Sequence, residues 1–248
     1  MMKHVLILSV IVLSGACSKT AVKSGKEVTE EKTVVITNPA GKGEKILVEL
    51  TRGKSFYYPL FAIWVEDSSG RYIQTLYVAK SVATGVFRMG KEGKNWWVEA
   101  PKRAPQTLPF WAHKRGIQAS DGLFVPDSTT SVPDAYSGAT PVRGFILESH
   151  ADNHLPLRFK VMLEINQNWD WNEYWTNDRY PDDENYKMSC QPSLVFEADI
   201  NLKSPKETYP MNPVGHGHYS GKTGELFPDL SSLTTALHIA DSIIVSVK

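Results

Sequence analysis

Short runs in which apolar and polar residues alternate recur along the chain, separated by turn-forming residues. That pattern predicts strands rather than helices. Thr33–Thr37 is the first candidate, followed by a turn at Asn38-Pro39-Ala40-Gly41 and a second strand at Ile46–Leu50. The clearest hairpin comes next: Leu60–Asp67, a turn at Ser68-Ser69-Gly70-Arg71, and a return over Tyr72–Ala79. Aromatic and β-branched residues flank its Gly-containing loop, as a hairpin requires. Trp96-Trp97-Val98, Gly144–Glu148, Leu157–Ile165, Leu194–Leu202 and Ser242–Val247 read as further strands. Only Leu233–Ala240, behind Ser231-Ser232 as a cap, reads as a helix.

Many short strands at turn-punctuated spacing predict an all-β fold, a β-sandwich of immunoglobulin-like or related type with one short helix near the C-terminus. With no internal repeat and no composition break after residue 33, residues 33–248 are expected to form a single domain. Composition changes little in this picture. The 248 residues are 42% hydrophobic and 22% charged, which is globular usage and excludes disordered, collagen-like and coiled-coil chains. The 27 basic residues balance the 27 acidic ones, so the chain has no field for holding a polyanion, and nucleic acid is not expected as a partner.

The first residues follow a different pattern. Met1-Met2-Lys3-His4 is a short basic region, Val5 to Leu13 is almost unbroken apolar sequence, and small residues at Ser14-Gly15-Ala16 precede Cys17. A nine-residue, almost wholly apolar stretch is too short to span a bilayer, so residues 1–16 read as an export signal. Leu13 to Cys17 resembles a bacterial lipobox, with the Leu one position further from the Cys than usual. The resemblance implies lipidation of Cys17 and attachment to the cell envelope, periplasmic or outer-membrane; plain cleavage is the alternative. Residues 17–32 are polar, charged and without apolar period, which predicts a flexible tether. Of the two Cys, acylation of Cys17 would leave Cys190 without a partner, so neither a disulfide framework nor a tetrathiolate metal site is expected.

Three groups of side chains invite chemistry. Trp169, Trp171 and Trp175 fall in one polar, aromatic stretch ahead of Asp182-Asp183-Glu184. They predict either rings packed over a sandwich end or an exposed platform for a glycan, a planar ligand or an envelope protein. A calcium site on Asp178, Asp182, Asp183 and Glu184 lacks a rigid loop template. His216 and His218, two apart, are weak metal candidates without a third ligand; the glycines around them favour a turn-rich loop, and no metal is assigned. No nucleophile elbow, phosphate loop or zinc-protease signature occurs.

One string rises above background: Asp134-Ala135-Tyr136-Ser137-Gly138-Ala139-Thr140. It resembles the Asp-x-x-(Ser/Thr)-Gly-Ala-Thr motif that bacterial FAD:protein FMN transferases modify. Five specified positions match by chance in such a chain on the order of once in a thousand. The resemblance implies covalent FMN on the Thr140 hydroxyl, with Asp134 part of the recognition signal. Ser137, Gly138 and Ala139 would form the slim backbone that a transferase cleft approaches, and Arg143 would pair with the phosphodiester. Pro133 and Pro141 bracket the string; a Pro directly after the Thr is unusual among flavinylated redox domains.

A wider resemblance surrounds it. Ala62–Asp67, Gly70-Arg71-Tyr72, Thr75-Leu76, Asp134–Gly144 and Glu164–Tyr174 look like a bacterial periplasmic family without an assigned activity. Its members often accompany PepSY-type membrane reductases and FMN transferases. What this implies is an extracytoplasmic electron carrier rather than a stand-alone enzyme, with an FMN transferase and a membrane reductase as partners. The other class of reading is a non-catalytic binding module using the aromatic loop.

Overall fold

The structure is a computed structural model that describes residues 32–90 and 97–248. The expected export signal, Cys17, the expected tether up to Glu31, and Trp96 lie outside the described residues.

In chain order the elements are β1 (Thr33–Thr37), β2 (Lys45–Arg52), β3 (Leu60–Asp67), β4 (Tyr72–Ala79), α1 (Lys80–Thr84), β5 (Val86–Gly90), β6 (Trp97–Pro101), α2 (Pro109–Arg115) and β7 (Ser137–Gly138). They continue with β8 (Phe145–His150), β9 (Arg158–Asn166), α3 (Glu184–Ser189), β10 (Leu194–Asn201), β11 (Tyr209–Pro210), β12 (Asn212–His216) and β13 (Ala240–Val247). The fold is all-β and sandwich-like, as its sequence pattern predicts. One sheet runs β1-β8-β2-β13-β11 and the other β12-β10-β9-β3-β4-β7, while β5 and β6 form a separate ribbon.

The sequence pattern of each strand matches its place. β2 alternates, with Ile46, Val48 and Leu50 buried and Glu49 in solvent, because its sheet covers the core with one face only. β3 is buried along six consecutive residues. Its odd positions Phe61, Ile63 and Val65 enter the core between the two sheets, and Ala62 and Trp64 face a second core under α2. The six-stranded sheet is thus covered on both faces, which is why β3, β4 and β9 carry nearly continuous apolar runs.

α2 is clamped onto that sheet by polar contacts. Pro109 stands in its first turn and Gly116 ends it in the left-handed conformation at φ 73°. Helix amides that lack intrahelical partners need acceptors, and Glu164 on β9 supplies them, taking Phe110 N–H at 3.1 Å and Trp111 N–H at 2.7 Å. The Trp111 indole donates to Thr75 on β4 at 3.0 Å.

The helical segment expected at Leu233–Ala240 is a single 3-10 turn, Ala236–His238, and the chain is already strand at Ala240. The carbonyls of His238 and Ile239 accept from Ser55 and Gly53 instead of continuing a helix. The three α-helices among the described residues lie elsewhere and are at most seven residues long. Among the described residues no helix is long and apolar enough to cross a membrane.

Candidate functional site

The Asp134–Thr140 string lies at an edge of the six-stranded sheet. Asp134–Tyr136 makes a 3-10 turn. β7 then pairs parallel with β4, Ser137 opposite Val78 and Gly138 opposite Ala79. The Tyr77 hydroxyl reaches from β4 to donate to the Ala139 carbonyl at 3.0 Å, and Asn38 N–H donates to the Ala135 carbonyl at 2.9 Å. A Cβ at Gly138 would meet the Tyr77 ring at 3.2 Å, so a side chain there would push that ring by a few tenths of an ångström. Asp134 is 87% exposed and 3.8 Å from Lys80 Nζ, a surface pair of little energetic weight. Ala139 is exposed and Thr140 half-buried. Among the described residues, the Thr140 hydroxyl has no hydrogen-bond partner and Arg143 no ion-pair partner. The Ser137 hydroxyl is buried and, among the described residues, unpartnered. The string is therefore an edge ribbon with a free terminal hydroxyl, rather than a turn whose side chains satisfy their own backbone.

Beside this ribbon is a cleft of about 270 Å³ between β4 and the segment 115–136. Tyr136 bridges it to Asp152, donating at 2.7 Å, and Asp152 N–H donates to Gln74 Oε1 at 2.8 Å. The Asp152 carboxylate holds the Tyr136 proton and pushes its pKa up to about 12. Burial lowers the Arg115 pKa, with Tyr72 opposing. Sequence reasoning missed Gln74, Arg115 and Asp152. They sit on three separated stretches, and only the pairing of β4 and the folding-back of 115–136 bring them together.

The aromatic loop divides in two. Trp169, Trp171 and Tyr174 are 58%, 55% and 47% exposed, but Trp175 is only 8% exposed, which corrects its grouping with the surface rings. Its indole donates to Ser232 Oγ at 2.9 Å, and its ring packs against Tyr186 and Tyr219 under the Arg179 guanidinium at 4.7 Å. The acidic run is used structurally as well. Asp183 caps α3 by accepting Tyr186 N–H and pairs with Lys222 at 3.3 Å, while Glu184 pairs with Lys187.

His216 stacks on Phe227 and its Nδ1 lies 2.7 Å from the Gly217 carbonyl. His218 stacks on Tyr219, and its Nδ1 accepts Ser220 N–H at 3.1 Å. Burial lowers the pKa of both. Among the described residues no three His, Cys, Asp or Glu side chains converge as a metal site. Cys190 is buried at φ 66°, and burial pushes its thiol up to about 11, away from thiolate chemistry.

No family model, no curated protein and no solved structure matches this chain. The functional reading rests on its own residues.

Proposed function

We propose that this chain is a lipid-anchored cell-envelope protein that carries FMN covalently on Thr140 and takes part in extracytoplasmic electron transfer. The observation that carries the reading is the Asp134–Thr140 string, standing on a sheet edge with a Thr140 hydroxyl that no group among the described residues engages. The residues present fit the group. Asp134 projects into solvent where a transferase can read it, and Gly138 and Ala139 leave the backbone slim ahead of the acceptor. Tyr77 fixes the Ala139 carbonyl and so holds the preceding residue in place. Arg143 is exposed and, among the described residues, without an ion pair, available to a phosphodiester charge by forked hydrogen bonds. FMN supplies electron transfer when bound; the sandwich supplies its position, with a membrane reductase as the exchange partner. Coexpression with an FMN transferase tests this: wild type should give a flavin-fluorescent band that survives denaturing electrophoresis, and Thr140→Ala should not.

One observation favours a second reading, a binding module for a glycan or envelope protein. Trp169 and Trp171 offer exposed rings from a backbone pinned to α3, with Trp169 N–H on the Met188 carbonyl and Asp170 N–H on that of Ser189. Trp169 is held at φ 63°, a conformation costing about 1–3 kcal/mol in a non-glycine residue.

A further inference from the structure

We propose that the cleft between β4 and the segment 115–136 binds a small organic carboxylate. This stands apart from the loading of Thr140. Two buried donors on residues that line this cleft have, among the described residues, nothing to donate to. Gln74 is 8% exposed, and its Oε1 accepts the Asp152 N–H. That bond fixes the orientation of the amide, since only its oxygen can accept. Gln74 Nε2 is then buried with no acceptor. Arg115, on the same cleft, gives Nη2 to the Thr130 carbonyl, while its Nη1 is buried with no acceptor. An unsatisfied buried donor costs about 1–3 kcal/mol, and more when charged. Two of them on one cavity form a consistent pattern.

A third donor follows from counting protons. Thr75 Oγ1 accepts from the Trp111 indole and lies 2.8 Å from the Tyr72 hydroxyl. Whichever of the two hydroxyls donates to the other, one hydrogen is left over, and both residues line the cleft. Charge then selects the ligand. Among the described residues Arg115 has no anionic partner, and Asp152, the carboxylate on this cleft, already accepts from Asn38 and Tyr136. A cation without a counter-ion, flanked by amide and hydroxyl donors, calls for an anion with two acceptor oxygens. Size and lining restrict it further. About 270 Å³ corresponds to roughly nine waters, and Ile73, Val132 and Pro133 give an apolar wall. The occupant is a compact carboxylate with an apolar body, of about the size of benzoate and far smaller than a nucleotide. Both donor nitrogens are covered from water in this structure, so a ligand in the cleft reaches them by displacing the side chains that cover them.

The test is an NMR titration of unmodified protein with sodium benzoate, with benzamide as the neutral isostere at matched ionic strength. Benzoate should shift the Gln74 side-chain amide and the Arg115 guanidinium saturably, and benzamide should bind at least about tenfold more weakly. Arg115→Met removes the guanidinium and keeps an apolar stem. Gln74→Glu keeps the acceptor for Asp152 N–H while replacing the idle donor by a charged oxygen. Each variant should weaken benzoate about tenfold or more, and Gln74→Glu decides alone if Arg115→Met does not fold. Equal binding of benzamide, undiminished binding by Gln74→Glu, or no saturable shift at these side chains overturns the proposal.

Discussion

Glu164 offers the sharpest test of how the sheet and α2 are joined. The carboxyl is fully buried, no cation among the described residues pairs with it, and it accepts from Phe110 N–H, Trp111 N–H and the Ser193 hydroxyl. Burial pushes its pKa up to about 7, and those three hydrogen bonds oppose the rise without cancelling it. The folded state therefore keeps the proton between pH 4.5 and 7 while the unfolded chain has lost it. That contribution to stability is complete below the unfolded value of 4.5 and disappears as pH rises through 7. At about 1.4 kcal/mol per pH unit it amounts to ~3 kcal/mol. Glu164→Gln abolishes the titration and presents an amide donor to one of the helix amides, at a cost of about 1–3 kcal/mol. Urea unfolding of both proteins from pH 4.5 to 8 isolates the effect, because titrations elsewhere, such as those of His216 and His218, cancel in the difference. Wild type should lose about 3 kcal/mol relative to Glu164→Gln across that range. A difference that stays constant with pH refutes the reasoning.

Trp175→Ala should cost about 3–5 kcal/mol because it empties a buried aromatic cluster, whereas Trp169→Ala and Trp171→Ala should stay within about 1 kcal/mol of wild type, as surface changes do; thermal melts distinguish them. Cys17→Ala should release the protein from the membrane fraction and abolish labelling by a fatty-acid analogue, and a wild type that is itself soluble and unlabelled refutes lipid anchoring.

Much of the sandwich was legible because strand periodicity is local. Leu60–Asp67 and Tyr72–Ala79 appear with the bounds that their apolar, β-branched runs and the intervening turn predict, closed by Asp67 accepting from Ser69 and Arg71 in the turn. What was not legible depended on partners distant in sequence. Leu233–Ala240 looks helical in isolation, yet pairing of the following strand with β2 and capture of its carbonyls by Gly53 and Ser55 leave a single turn. α2 is too short to show helical periodicity, and its N-terminal amides are satisfied by Glu164, more than fifty positions away. Trp175 was indistinguishable from Trp169 and Trp171 because exposure follows from Ser232, Tyr186 and Tyr219, which no local spacing reveals. The candidate site divides in the same way. Its acceptor string was readable because it is contiguous, and its cleft was hidden because β4, α2 and the residue after β8 and Ala151 each contribute one part.

The measurement that bears most directly on function is peptide mass mapping of protein coexpressed with an active FMN transferase. One phosphodiester-linked FMN should appear on the peptide containing Asp134–Thr140, with fragmentation placing it on Thr140. Thr140→Ala should carry none, Thr140→Ser should retain part of the label, and Asp134→Ala should reduce it without unfolding the protein. Unlabelled wild type, under conditions where a known substrate of the same transferase is fully labelled, contradicts the assignment and leaves Ser137–Thr140 as an edge ribbon of the sandwich.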